Sequence, residues 1–295
     1  MSELQTEQLS ESYIKQERFV LWKRFCENKI ALVSLIAMIL IILCAIFADQ
    51  IVSYERVISQ SLLERLQPPS AAHPFGTDGY GRDIFARVIH GTRSSLTIAF
   101  STIFFSCLAG LLLGVSCGYF GGKLDSVVMR LVDVIMCLPP ILFSLSIVAA
   151  LGAGMENLIL AVSITMTPYF TRVIRATVMS VTSSEYIEAA RASGATNWHI
   201  ILRHVIPNCM GPIIVEATIN LSYMIMLSSS LSFIGLGVQP PDAEWGDMLG
   251  RGRNELFRAP WLMIFPGLAI TLTVLAFNLL GDGISDGLDP KSRKR

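Results

Sequence analysis

Residues 185–208 read EYIEAARASGATNWHIILRHVIPN, a charged stretch set between long uncharged runs. Glu185 to Ala192 has helix-forming composition, and Gly194 permits the left-handed turn that ends a helix. Thr196 or Asn197 can cap a second helix, which Pro207 is expected to stop at the membrane. The product is two short helices at an angle. The runs on either side are long enough to cross a bilayer, so this polar helix–turn–helix is wedged into a bundle of lipid-soluble helices. A membrane protein that must be pushed from outside the bilayer needs such a segment.

Composition agrees with that setting. Of 295 residues 52% are apolar and 16% are charged, the mean hydropathy is +0.56, and the charges are segregated rather than spread along every helix as in a soluble domain. The formal net charge is zero, which leaves no charge-based case for a nucleic-acid partner. The 6 cysteines form no CxxC pair and mostly fall in apolar runs, so they read as small buried hydrophobes and not as disulfides or metal ligands.

A bilayer core of ~30 Å needs about 20 apolar residues in a helix. Six stretches qualify: 30–48, one within 94–122, 134–155, 157 to about 172, roughly 207–236 interrupted by Glu216, and 260–281. The expected fold is all-α and polytopic, with six transmembrane helices. It is organised as a cytoplasmic amphipathic segment 1–29, a first span 30–48, an external loop 49–93 with its own amphipathic helix, and a core 94–295. The N-terminal segment mixes Ile14, Phe19, Leu21, Trp22 and Phe25 with Lys15, Arg18, Lys23 and Arg24, as an interfacial helix on membrane lipid does. It lacks a small-residue cleavage site, so the first span reads as an anchor. Placing the N-terminus inside puts fifteen of the 23 Lys and Arg residues on the cytoplasmic side. That satisfies the positive-inside rule, makes both termini cytoplasmic and puts residues 185–208 in the cytoplasm.

Within the second span, Gly110, Gly114, Gly118 and Gly122 recur every four residues, a stripe that lets another helix backbone approach closely. Its partner is either another helix of this chain or a second membrane subunit. Pro139-Pro140 and Pro168 should bend the third and fourth spans. Asp133, Glu216 and Asp282 sit in or beside apolar spans, where a carboxylate is expensive. Asp133 and Asp282 lie near span ends within reach of interfacial water. Glu216 lies deeper, facing either a partner subunit or a translocation path. On the outer side, Ile84, Phe85, Val88 and Ile89 recur at helical spacing after Asp83, with Thr77 or Asp78 as candidate caps. Together with Glu244 and an exposed Trp245, the residues Asp78, Arg82 and Asp83 make a candidate landing surface for a docking protein; the alternative is a structural lid.

Enzymatic readings find little support. No HExxH spacing and no nucleophile elbow occurs, and the nearest approach to a phosphate loop, Gly118 to Leu124, has Cys117 where its first glycine belongs. No metal site is expected, and no internal repeat of the kind that builds stand-alone secondary transporters is visible.

Glu188-Ala189-Ala190, then Gly194, then Ile206-Pro207 closely resembles the EAA loop of membrane subunits of bacterial ABC importers. Gly76-Thr77-Asp78 with Gly81-Arg82-Asp83, then Ser232 to Gly237, Gln239-Pro240-Pro241, Glu244-Trp245-Gly246 and Asn278 to Gly283 look like the C-type permease of dipeptide, oligopeptide and nickel importers. The resemblance runs from about Leu62 to Lys291. One departure is His204, where the general motif often has an aliphatic residue. The resemblance implies a type I ABC importer permease fold in the bacterial cytoplasmic membrane. It implies a homologous B-type permease partner, two ATP-binding subunits carrying ATP-Mg and an extracytoplasmic substrate-binding protein. It also implies that Glu185, Glu188, Ala189, Ala190, Gly194 and Pro207 form the helix that couples to an ATPase. Peptides are the expected substrate class, with nickel chelates or other small solutes as the alternative.

Overall fold

A computed structural model describes residues 28–288, so the N-terminal amphipathic segment before Asn28 and the last residues, 289–295, lie outside the described residues. Among the described residues the chain is helical without strands. Apart from single-turn pieces, nine helices organise the described residues: α1 (Lys29–Ile46), α2 (Ile84–Phe120), α3 (Gly122–Met136), α4 (Pro140–Leu151), α5 (Met155–Thr182), α6 (Glu185–Ala192), α7 (Asn197–Phe233), α8 (Trp245–Gly252) and α9 (Trp261–Leu288). Five of these are long and apolar enough to cross a membrane, or six if the broken pair α3 and α4 counts as one span.

The second span differs from its expected form. α2 has 37 residues and, at 1.5 Å per residue, is about 55 Å long. The helix expected on the outer surface is simply its first turns. Its cap is Asp83, whose Oδ1 accepts the Ala86 amide at 3.0 Å, and neither Thr77 nor Asp78. The third span is broken. Pro139 is extended, Pro140 opens α4, and α3 and α4 meet at 91°. A proline removes a backbone donor and disfavours a helical conformation in the residue before it, so two in succession interrupt the ladder instead of bending it. α4 alone, with 12 residues, extends only about 18 Å.

The glycine stripe explains the close packing of α2 on α5. A Cβ on Gly110 would stand 2.6 Å from Phe170 Cβ, on Gly114 2.9 Å from Ile174 Cβ and Thr171 O, and on Gly118 2.8 Å from Val178 Cγ1, all on α5. The stripe is thus a contact within this chain. The reading of Gly110, Gly114 and Gly118 as subunit interface or pathway gives way to internal packing, and Gly122 faces open space beyond the helix end. Phe170, Ile174 and Val178 are fully buried beneath α2 as a result.

Candidate functional site

At one end of the bundle, α6 follows α5 after a short turn. Gly194, at φ +83°, reverses the chain, and Thr196 accepts the His199 amide at its Oγ1 to open α7. The helix–turn–helix expected from residues 185–208 is present, with one correction. Pro207 does not stop the second helix. A π turn at Ile201–Val205 precedes it, and α7 runs on without a break to Phe233. The wider turn accommodates a proline that supplies no donor of its own.

The unit has two faces. Ile187 and Ile200 are fully buried, and Ala190 packs against the same core, whereas Glu185, Glu188, Ala189, Gly194 and Pro207 are exposed, as are Tyr186, Trp198 and Leu202. Glu188 makes no ion pair among the described residues. A Cβ on Gly194 would meet nothing within 4 Å, so space is open there, but the backbone conformation disfavours any side chain. Tyr119, at the end of α2, accounts for how the unit is held: its hydroxyl donates to Asn197 Oδ1 at 2.9 Å, and Arg191 lies 5.3 Å over its ring. Nearby, Arg175 grips both oxygens of Asp125 at 2.5 and 2.6 Å, and Arg172 pairs with Asp133. These contacts join residues far apart in sequence, and no local pattern announces them. Asp133 therefore has a cationic partner within the chain.

The opposite end is closed by a polar cap. Residues 52–95 and 238–262 are sewn together: His90 Nε2 donates to Val52 O at 2.8 Å, Trp245 Nε1 to Val88 O at 3.0 Å, Trp261 Nε1 to Thr77 O at 3.2 Å and Tyr54 Oη to Asp242 Oδ1 at 2.6 Å. Trp245, expected to be exposed, is 2% exposed and packs among Val52, Ile84, Val88 and Met248. Glu244 is buried as well. Its two oxygens accept the Gly246 and Asp247 amides, both at 2.9 Å, and its Oε1 also accepts Ser95 Oγ at 3.2 Å. Burial pushes the Glu244 carboxyl up, against the pull of those backbone N–H groups. Asp78 accepts the Tyr80 and Arg82 amides and the Arg82 Nε at 2.6 Å, while Asp83 caps α2 and pairs with His73. Asp78, Arg82, Asp83, Glu244 and Trp245 therefore build the cap from within instead of presenting themselves on its surface. What it does present is Leu63, Tyr80 and Phe257. The signal missed was the density of backbone-satisfying residues, Asp, Glu and Trp beside glycines, which marks a folded corner as readily as a landing site.

Halfway along the bundle, Glu216 of α7 accepts Tyr169 Oη at 2.9 Å and Asn220 Nδ2 at 3.3 Å.

With these features placed, comparisons with known proteins bear directly on the assignment. The model of the binding-protein-dependent transport system inner membrane component matches residues 110–294. The chain belongs to that family. A second model, the N-terminal TM domain of oligopeptide transport permease C, matches residues 20–69. The dipeptide transport system permease protein DppC of Alkalihalophilus pseudofirmus is 42% identical, covering 92% of this chain and 89% of that protein. The di/tripeptide transport system permease protein DppC of Pseudomonas aeruginosa is also 42% identical, covering 92% and 91%. The glutathione transport system permease protein GsiD of Pectobacterium atrosepticum is 40% identical, covering 92% and 90%. Among solved structures, an inward-facing MetNI methionine ABC transporter matches with a TM-score of 0.57 at 20% identity, over 70% of this chain and 98% of that one, which speaks for the fold. The chain is a permease subunit of the dipeptide and peptide family of ABC importers, a multi-pass inner-membrane protein and not itself an enzyme.

Proposed function

We propose that this permease pairs with a homologous B-type subunit to form the path by which di- or oligopeptides cross the membrane, with two ATP-binding subunits below and a substrate-binding protein above. In this reading the end carrying α6 and both termini face the cytoplasm, and the cap faces outward, as the distribution of Lys and Arg favours. ATP-Mg resides in the partner subunits. Its binding draws them together, their grooves carry α6 and the start of α7 along, and α5 and α7 tilt to open the path toward the docked binding protein. Hydrolysis resets the movement. Peptide as the substrate class rests on the relatives named for dipeptide and di/tripeptide transport.

The observation that carries this reading is the two-faced construction of residues 185–200. Glu188 and Trp198 stand exposed for a partner, while Ile187, Ile200 and the Tyr119–Asn197 bond tie the same unit to α2, α5 and α7. A push on such a unit reaches three spans without deforming it. Two variants test it: Glu188→Lys reverses the exposed carboxylate, and Gly194→Trp places a large side chain at φ +83°. Both should abolish uptake while the chain remains inserted and bound to its permease partner. Wild-type uptake in both would remove the coupling assignment.

A further inference from the structure

Glu216 is the one acidic residue of α7. It lies 10 residues, or about 15 Å, beyond Ile206. The Tyr169 that bonds it is 14 residues from the start of α5 and 13 from its end, so the pair sits at the middle of that span-length helix. Both donors to the carboxylate, Tyr169 Oη and Asn220 Nδ2, are neutral and converge on Oε2. Among the described residues Oε1 receives no hydrogen bond, and no Lys, Arg or His lies within 4.0 Å of the carboxylate. Charge at this depth is costly until a cation meets it, and neutral donors orient a carboxylate without neutralising it.

Tyr169 and Asn220, the two donors to Glu216, also line a cavity of about 290 Å³ together with Thr165, Tyr223 and apolar residues that include Met136, Pro140 and Met166, while Glu216 itself is not part of its wall. Glu216, Asn220 and Tyr223 are spaced i, i+4, i+7 and so share one face of α7. The site thus combines an acidic oxygen without a donor, an amide and two phenol rings. That combination suits a primary ammonium, which takes hydrogen bonds from oxygen acceptors and is attracted to aromatic faces, and it repels a carboxylate.

We propose that Glu216, with Asn220, Tyr169 and Tyr223 around it, is a transient binding station for the amino-terminal ammonium of the transported solute. The inference rests on the peptide-import reading, and its test separates the two. The complete importer is reconstituted in liposomes with its binding protein, and dipeptide moved per ATP hydrolysed is measured for wild type, Glu216→Gln and Glu216→Asp. Glutamine keeps an acceptor for Tyr169 and Asn220 while removing the charge and turning the free oxygen into an NH2 donor. The expected result is a drop of about tenfold in Glu216→Gln, the order of loss on removing one charge-assisted hydrogen bond, with Glu216→Asp retaining most of the wild-type ratio. An undiminished Glu216→Gln would overturn the station and leave the residue a packing role, as would equal losses in Gln and Asp. Loss of the second permease subunit from the purified Glu216→Gln complex would overturn it in favour of an ion pair between subunits. Failure of the wild-type importer to move any dipeptide would instead refute the peptide reading, and the station with it.

Discussion

Replacing Gly114 with alanine tests how closely α2 lies on α5. The added Cβ would stand 2.9 Å from Ile174 Cβ, Ile174 Cγ2 and Thr171 O, against the 3.4–4 Å of ordinary contact, so α5 must retreat by half an ångström or more. The carbonyl cannot swing aside as a flexible side chain would. Overpacking of this kind costs about 1–3 kcal/mol, offset by about 1 kcal/mol from alanine's better helix propensity, for a net loss of about 1 kcal/mol. Gly211 in α7 supplies the control, because a Cβ there meets nothing within 4 Å. Gly211→Ala should therefore be neutral or gain up to about 1 kcal/mol. Gly114→Leu, with no room at all, should fail to yield folded chain. Thermal scans of the detergent-purified permease, read by size-exclusion chromatography of the surviving monodisperse fraction, should rank Gly211→Ala at or above wild type and Gly114→Ala below it. Equal midpoints for the two alanine variants would refute the close contact. A Gly114→Leu chain that folds but no longer captures the second permease subunit would restore the intersubunit reading of the stripe.

Two further outcomes follow from the cap and from the orientation. The Asp242 carboxylate accepts the Tyr54 hydroxyl and holds its pKa up to about 12; since the ordinary tyrosine value is about 10, this tie contributes fully below pH ~10 and is lost as pH rises through about 12. Asp242→Asn should return that titration toward the ordinary range, followed as phenolate absorbance in a difference spectrum against Tyr54→Phe, and an unshifted midpoint would contradict the bond. Single cysteines in a cysteine-free background should react with a membrane-impermeant thiol reagent on intact cells at the exposed positions Ser70 and Phe257 but not at Asn197; labelling at Asn197 would invert the topology and remove the coupling argument.

The spans were legible because lipid solubility is a property of composition over about 20 residues, and the coupling turn was legible because Gly194 and Thr196 act locally. Where the sequence leaves two uses open, one cause decides between them. Trp245, Glu244 and the glycine stripe could each serve a visitor or the chain itself, and each is consumed by a partner more than fifty residues away in the same chain: Val88, Ser95 and the run from Phe170 to Val178. Sequence shows what a residue offers and is silent on whether another part of the chain has already taken it. The ion pair Asp133–Arg172 makes the same point, since a carboxylate that stands beside an apolar span in the sequence has a cationic partner in the fold. Glu216 stands apart under this test. Its neighbours satisfy one oxygen with neutral donors, and no cation among the described residues reaches it, so the anomaly visible in the sequence survives folding. A carboxylate that the described residues leave uncompensated is what the proposed station requires, and the Glu216→Gln importer decides between a cation carried by a passing solute and one on a second permease subunit.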